Sequence, residues 1–253
     1  MNAEIITSRQ NPLMTHLRKL ASSRSYRKKS GEYLCDGTKL LAEALKWGAE
    51  VKTAVFSEGV DIPPLPDGVR AVRVSEELMH AVSPMETPQG ALFTVALPEV
   101  RLPETLSGKH YLVLDGVQDP GNVGTILRTA DAFDCDGIFL VNACADLYNP
   151  KTARATMGAI FRREAYSVTV EELFSLLQKN DVPLYGTALR DDTVPLAEAD
   201  LARAAVAIGS EGRGLSQQVL DECAKTLKIP MNPRCESLNA AIAATVVLWE
   251  MYR

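Results

Sequence analysis

The sequence predicts an α/β protein made of two domains. Apolar runs of four to six residues, of the kind that form buried strands, alternate with longer stretches of helical periodicity through most of the 253 residues. Between the two halves, residues 96–108 contain two prolines and mixed charges without a clear period, as is typical of a linker. The composition, with 46% hydrophobic and 23% charged residues, is that of an ordinary globular protein. We therefore expect domains at residues 1–97 and 108–253.

The first half is predicted to be a small α/β domain. Residues 11–22 place Leu13, Leu17 and Leu20 on one stripe of a helix, and residues 39–47 form a second helix that Gly48 follows. The other predicted elements are strands at 51–56, 70–74 and 91–96, a helix at 75–82, and a proline-rich loop at 62–68.

The second half is predicted to contain a mostly parallel sheet with helices on both faces, because strands and helices alternate along it. The predicted strands are 111–114, 137–141, 182–186, 204–208 and 227–229, and the predicted helices are 122–133, 151–157, 171–179, 216–224 and about 237–251. In such sheets the ligand binds beyond the carboxyl ends of the strands. Three segments follow strands in this way, at 115–128, 209–215 and 230–239.

The first segment combines a turn with the start of a helix. Residues 119–122 form the turn, and the backbone amides that begin the helix can hold an anion. Arg128 follows Asn122 by a little under two helical turns, so both side chains can point towards the same side of the crevice. The alternative is a helix cap at Asn122 and a surface ion pair at Arg128.

The second segment is rich in glycine. Gly209, Gly212 and Gly214 follow an apolar strand, and glycine there lets the backbone approach a ligand closely. The spacing is not GxGxxG, and no acidic residue is suitably placed about twenty residues later, so a dinucleotide-dependent enzyme such as a dehydrogenase is disfavoured. Glu211 is either a residue of the site or a solvated loop charge.

The third segment leads into a very apolar helix. Pro230 and Pro233 keep the segment out of helix, and Ser237 is suited to cap the helix that follows. Because that helix is apolar on nearly every side, it must be buried in the core or at a contact between subunits.

The charge of the chain is unevenly distributed. The net charge of −5 argues weakly against a nucleic-acid partner, but residues 1–30 alone carry +6, so the remainder carries −11. The basic residues that we expect to contact RNA phosphates are Arg18, Arg24, Arg27, Lys28 and Lys29. The alternative is a solvated helix face.

The spacing of cysteine and histidine disfavours several classes of site. No two of the five cysteines form a CxxC pair, and the three histidines are scattered, so we expect neither disulfides nor a metal. The first nine residues lack the apolar core of a signal peptide, and the apolar stretch at 240–249 is too short to cross a bilayer. With reduced thiols, these features lead us to expect a cytoplasmic protein without membrane contact.

The three segments together resemble the SpoU (TrmH-like) family of RNA ribose 2′-O-methyltransferases, within the SPOUT superfamily. The matching motifs are DPGNVGTILRTA at 119–130, IGSEGRGLS at 208–216 and IPMNPRCESLNAAIA at 229–243, with RATMGAIFR at 154–162. The first half, with CDGTKLLAEAL at 35–45 and TPQGALFTV at 87–95, is similar to the family's L30e-like RNA-binding domain. Two departures affect the shape of the third segment: residues 232–235 lack the family's usual glycine, and Ala240 and Ala241 stand where members often have Val and Ser.

The resemblance implies a deep C-terminal trefoil knot, S-adenosylmethionine as the cofactor, and a homodimer joined by the last helix. The cofactor-binding residues that it implies are Gly209, Gly214, Ile229, Met231 and Leu238. The catalytic residues that it implies are Asn122, Arg128, Glu211, Ser237 and Asn239.

The resemblance leaves the role of Arg128 and the identity of the RNA open. Arg128 matches the residue proposed as the family's base, but a guanidinium normally stays protonated, so it could instead hold a phosphate or stabilise a developing alkoxide. We expect ribosomal RNA of the 23S type as the substrate, with transfer RNA as the alternative. A further alternative is an RNA-binding scaffold of the same fold that has lost catalysis.

Overall fold

The computed structural model describes residues 3–235 and 237–253, and these form two compact units. The first unit comprises the described residues up to Glu99 together with Asp146–Arg162. The second comprises Val100–Ala145 and Arg163–Arg253.

Strands and helices alternate along most of the chain. Up to Glu99 they are β1 (Glu4–Ile6), α1 (Pro12–Ser22), α2 (Arg24–Ser30), β2 (Glu32–Asp36), α3 (Thr38–Lys46), β3 (Val51–Ser57), β4 (Arg70–Val74), α4 (Glu76–Val82) and β5 (Ala91–Ala96). From Val100 onwards they are β6 (His110–Asp115), α5 (Pro120–Ala132), β7 (Gly137–Val141), α6 (Pro150–Ala155), β8 (Ala165–Ser167), α7 (Val170–Lys179), β9 (Leu184–Thr187), β10 (Val194–Pro195), β11 (Ala204–Gly209), α8 (Gln217–Asp221), β12 (Lys225–Lys228) and α9 (Ala240–Tyr252).

The first unit is built on a five-stranded mixed sheet with the order β1-β4-β3-β5-β2. Strands β1, β3 and β4 run parallel to one another, and β5 runs antiparallel to its neighbours β2 and β3. Successive residues of β2 enter different cores, since Tyr33 and Cys35 pack on one face of the sheet and Leu34 on the other. Helices therefore cover both faces of this sheet, as expected for a small α/β domain.

The segment Asp146–Arg162 belongs to the first unit, whereas the sequence analysis placed it in the domain at 108–253. Helix α6 packs on β2, and its Ala153 is part of the same buried cluster as Phe93. Arg162 also forms an ion pair with Glu43 at 2.5 Å. Chain order suggested the other assignment, because periodicity does not reveal which core a helix packs against.

Helix α2 changes the interpretation of the basic segment. Ser23 caps this helix by accepting a hydrogen bond from the Tyr26 amide, and Gly31 ends it in the left-handed conformation. Arg27 on α2 is only 3% exposed, and its guanidinium donates to Asp146 at 2.6 Å and to the Leu20 carbonyl at 2.6 Å. The prediction that Arg27 contacts RNA is therefore wrong, because a guanidinium buried against Asp146 and the Leu20 carbonyl presents no exposed face to a phosphate. The other four predicted contacts, Arg18, Arg24, Lys28 and Lys29, are exposed.

The second unit is built on a seven-stranded sheet with the order β10-β12-β9-β11-β6-β7-β8. Every pair of neighbouring strands is parallel, which confirms the predicted parallel sheet. Strand β11 lies at its centre, so the glycine-rich segment emerges from the middle of the sheet. Helix α9 packs on α5, where the Phe133 ring lies 5.8 Å from the Trp249 ring. The implied trefoil knot stays a prediction.

Several element boundaries differ from those expected. Helix α5 begins at Pro120 with Asp119 as its cap, and α9 begins at Ala240 with Asn239 as its cap, so neither Asn122 nor Ser237 caps a helix. Asn239 has this position because its side-chain oxygen accepts hydrogen bonds from the Ala241 and Ile242 amides. Helix α2 and four strands, namely β1, β2, β8 and β10, were not predicted from the sequence.

Candidate active site

A cavity of about 290 Å³ lies beyond the carboxyl ends of β9, β11 and β12 and beside the start of α9. All five residues predicted to bind a cofactor line it: Gly209, Gly214, Ile229, Met231 and Leu238. Two of the predicted catalytic residues, Glu211 and Ser237, also contribute to its wall. The second and third of the three predicted segments therefore meet around one cavity, at the edge of the sheet where parallel topology places ligands.

The shape of the cavity depends on the tight glycine loop after β11. Ser210 and Gly214 exchange two backbone hydrogen bonds of 3.0 Å, which closes the loop on itself. A Cβ atom on Gly209 would lie 2.2 Å from the Gly214 carbonyl carbon, so only glycine fits at that position. Gly214 has a φ of 66°, in the left-handed region that favours glycine. A steric clash therefore explains Gly209 and the backbone conformation explains Gly214, whereas a Cβ atom on Gly212 would meet open space.

Asn122 joins all three predicted segments. Its side-chain amide donates to the Glu211 carboxylate at 2.5 Å, and its side-chain oxygen accepts from the Asn239 amide at 3.1 Å. Asp119 holds the backbone of Asn122 in place by accepting from its N–H at 2.8 Å. The helix starts of α5 and α9 are thereby connected to the glycine loop through side chains alone.

Arg128 is not part of this network. It is exposed on α5 and does not line the cavity, and within the described part of the chain its guanidinium forms no hydrogen bond or ion pair. A helix turns about 100° per residue, so Arg128 lies about 120° around α5 from Asn122. The expectation that both residues point to the same side is therefore not met, and the alternative of a surface ion pair at Arg128 is not met either.

Two residues at this edge of the sheet were not singled out from the sequence. Leu189, in the loop after β9, lines the cavity and is largely exposed. Asp115, the last residue of β6, is only 2% exposed. A carboxylate that directly follows four consecutive buried strand residues was a signal that could have identified it.

The backbone beside Asp115 adopts rare conformations. Gly116, Asn142 and Ala143 have φ values of 65°, 52° and 58°, at the carboxyl ends of β6 and β7. Such conformations persist in non-glycine residues only where surrounding contacts hold them, and they are concentrated at functional sites.

The described residues contain no group of three or more histidine, cysteine or acidic side chains that could hold a metal ion. All five cysteines are free thiols. Burial raises the pKa of four of them: that of Cys135 to about 12, those of Cys144 and Cys223 each to about 11, and that of Cys35 far above its usual range. None of these four thiols is suited to nucleophilic chemistry at neutral pH. No described helix has the length and apolarity that crossing a membrane requires.

Comparison with known families and proteins gives consistent matches. The model of the SpoU rRNA Methylase family matches residues 109–249, and the model of the MRM3-like substrate binding domain matches residues 11–92. The 23S rRNA (guanosine(2553)-2′-O)-methyltransferase RlmP of Bacillus subtilis is 32% identical, over 97% of this chain and 98% of its own length.

Solved structures give the same result for nearly the whole chain. The AdoMet-bound rRNA methyltransferase from Sinorhizobium meliloti is 28% identical with a TM-score of 0.85, over 98% of this chain and 97% of that one. The SpoU methyltransferase AviRb from Streptomyces viridochromogenes, in complex with the cofactor AdoMet, is 25% identical with a TM-score of 0.86, over 96% of this chain and 97% of that one. Because the family model covers more than half of the chain and the Bacillus relative aligns from end to end, this protein belongs to the SpoU rRNA methylase family.

Proposed function

We propose that this protein is an S-adenosylmethionine-dependent RNA methyltransferase that methylates a ribose 2′-hydroxyl of ribosomal RNA. One observation carries the proposal: the cavity at the carboxyl edge of the parallel sheet borders the network of Asn122, Glu211 and Asn239. A methyl donor in the cavity and a sugar oxygen at the network would be neighbours. The Bacillus relative is named as a 2′-O-methyltransferase of 23S rRNA, and the Sinorhizobium neighbour is an AdoMet-bound rRNA methyltransferase.

The wall of the cavity fits the mixed chemistry of S-adenosylmethionine. Apolar side chains, among them Leu189, Leu227 and Leu238, offer surface to an adenine ring and to methylene groups. The glycine loop leaves backbone N–H and C=O groups accessible to hydroxyl and amine groups. Glu211 adds a negative charge to a wall that would face a positively charged ligand. When bound, S-adenosylmethionine supplies a methyl group on a sulfonium, which is already activated for transfer.

The chain's own residues have to align the two reactants and assist the loss of a proton from the sugar. Alignment can account for a large share of the rate, about 7 kcal/mol or more. We assign Asn122 and Asn239 to orienting the ribose and the loop backbone, and Glu211 and Ser237 to bracing the site. We assign Arg128 to an incoming phosphate or a developing alkoxide, since its guanidinium is free within the described residues.

The first unit is assigned to RNA binding. The matching family model describes a substrate binding domain. Exposed basic side chains on α1 and α2, namely Arg18, Lys19, Arg24, Lys28 and Lys29, support this assignment because they can release counterions from RNA phosphates. The free thiols support a cytoplasmic location.

We further propose that α9 joins two copies of the chain. Ile242, Trp249 and Tyr252 are each more than half exposed, and their spacing places them along one side of this helix. Large apolar side chains exposed in a row indicate a protein contact, and a twofold pairing would bury the same stripe from both copies. Sedimentation should show a dimer that the double variant I242E/W249E converts to a monomer. W47E is the control, because Trp47 lies outside α9 and is exposed to nearly the same extent as Trp249, at 49% and 52%. It should leave the dimer intact. A double variant that stays dimeric would exclude α9 as the contact.

The enzymatic proposal is tested by transfer of tritiated methyl groups from S-adenosylmethionine to RNA. A ribose methylated at its 2′-oxygen protects the adjacent phosphodiester from alkali, so the label should be recovered in alkali-resistant dinucleotides of ribosomal RNA. Label in single nucleotides would instead indicate methylation of a base. Label in transfer RNA alone would identify transfer RNA as the substrate. If neither RNA receives label, the protein would instead be an RNA-binding scaffold without catalysis.

A further inference from the structure

We infer that Asp115 is a positioning residue that anchors the cofactor loop, defined here as residues 209–216, and this inference rests on the proposed function. Asp115 ends β6, next to the central strand β11, and its partner in the sheet register is Gly209. Its carboxylate therefore lies beside the point where the cofactor loop leaves the sheet.

Asp115 also binds the far end of the same loop. One carboxylate oxygen accepts a hydrogen bond of 2.5 Å from the Ser216 backbone N–H. The other accepts one of 2.8 Å from the Asn142 side-chain amide, which also donates to the Ser216 hydroxyl at 3.1 Å. Asp115 thus lies beside the first residue of the loop and holds its last, with Asn142 as a bridge.

The rare backbone conformation of Asn142 serves this arrangement. Asn142 has a φ of 52°, and its side chain bonds both Asp115 and Ser216. Asparagine tolerates the left-handed region better than most residues. The strained turn after β7 is therefore one support of the loop.

Asp115 is a buried carboxylate that follows four buried apolar residues of β6. Asp115 forms no ion pair with any described residue, and burial of a charged group is unfavourable unless its hydrogen bonds are satisfied. An apolar residue would suit the end of a buried strand better. The carboxylate accepts hydrogen bonds from N–H groups of two different loops. These two bonds set the separation between Gly209 and Ser216.

The separation of these two loop ends determines the shape of the cofactor cavity. Gly209 and Gly214 both line it, and Gly209 approaches the Gly214 carbonyl closely. Glu211, between them, reaches Asn122. Release of Ser216 would therefore loosen the cavity wall before it disturbed the sheet.

The test compares Asp115→Asn with Asp136→Asn. Asp136 accepts hydrogen bonds from the Lys109 and His110 amides at the opposite end of β6, so it has similar chemistry away from the cavity. In D115N the NH2 group of the new amide faces one of the two donors, so one of the two hydrogen bonds is lost. We therefore expect the Kd for S-adenosylhomocysteine, measured by calorimetry, to rise about tenfold. D136N should bind as the wild type does.

Steady-state kinetics separate positioning from general damage. For D115N we expect KM for S-adenosylmethionine to rise with Kd, while kcat at saturating cofactor falls by less than about threefold. A fall in kcat that exceeds the rise in KM would overturn the inference. A Kd in D115N equal to that of the wild type would overturn it as well.

A second variant keeps the inference testable if D115N does not fold. Asn142→Gly retains the left-handed backbone and removes only the bridging amide, and we expect it to weaken S-adenosylhomocysteine binding measurably. Wild-type binding by N142G would overturn the inference. Failure of the wild-type protein itself to bind S-adenosylhomocysteine would instead refute the proposed function.

Discussion

The Asn122 side chain donates a hydrogen bond of 2.5 Å to Glu211, although 89 residues separate them in the chain. Asn122 lies in the first turn of α5, and Glu211 lies in the cofactor loop after β11. Since Asn122 also accepts from Asn239, one amide group connects three segments that the sequence had suggested separately. This connection is the most direct target for mutation.

Asn122→Asp should reduce turnover without unfolding the protein. The substitution keeps the shape of the side chain but removes the donor to Glu211 and sets two carboxylates against each other. Displacement of the reactants should lower kcat by about tenfold to a hundredfold in the tritiated-methyl assay. Thr125→Ala, on the exposed side of the same helix, is the control and should be silent. Equal turnover in N122D and wild type would remove Asn122 from the catalytic arrangement.

Arg128→Lys should abolish most of the turnover and leave stability unchanged. The side chain is exposed and has no partner within the described residues, so unfolding free energy should change by less than about 0.5 kcal/mol. Lysine keeps the charge but not the planar fork that binds phosphate through two parallel hydrogen bonds. RNA binding should therefore persist while single-turnover methylation falls. Near-normal methylation in R128K would refute an essential role.

Arg27→Ala and Arg24→Ala should differ sharply in stability. Both arginines approach Asp146, but Arg27 is buried and bonds it at 2.6 Å, whereas Arg24 is more than half exposed and lies at 3.8 Å. Removal of Arg27 leaves Asp146 and the Leu20 carbonyl without their buried donor, which should cost about 3 to 5 kcal/mol. Removal of Arg24 should cost about 0 to 1 kcal/mol. Urea unfolding measures both, and similar midpoints for the two variants would contradict the structure.

Neutralisation of Lys28 and Lys29 should weaken RNA binding in a salt-dependent way. Each phosphate contact contributes about 0.7 to 0.9 to the slope of log K against log salt, so K28Q/K29Q should flatten the slope by up to about 2. K179Q/K225Q removes the same charge from exposed positions of the second unit and is the control. If both pairs give the wild-type slope, the basic segment does not contact RNA.

Stability should fall as the pH rises above about 8.5. Burial raises the pKa of Cys135 to about 12 and that of Cys144 and Cys223 to about 11, while thiols in the unfolded chain titrate near 8.5. Between these values the unfolded state releases protons that the folded state keeps, so alkali favours unfolding. Melting temperatures measured with a reducing agent should be constant from pH 7 to 8 and then decline. A flat profile to pH 10 would show that these thiols are not buried.

Local pattern predicted the two α/β halves, the parallel sheet of the second half and the loops at its carboxyl edge. Alternating strands and helices predicted the parallel sheet, and glycine and proline marked the loops at its carboxyl edge. The strands, helices and loops are readable because strand burial, helical periodicity and the conformational freedom of glycine act over a few neighbouring residues. The cofactor-binding residues Gly209, Gly214, Ile229, Met231 and Leu238 were instead implied by the resemblance to the SpoU family, and all five line one cavity.

Long-range contacts could be seen only in the folded chain. Arg27 is buried because Asp146, 119 residues away, lies against it. Asp115 bonds Ser216, 101 residues away, because β6 and β11 are neighbours in the sheet. Strand order and helix packing follow from how the surfaces of whole elements fit together. The periodicity of a single segment does not indicate which distant segment it will contact. The residue types suited to the chemistry were therefore evident in the chain, whereas the partners that bury Arg27 and Asp115 came from the packing of distant segments.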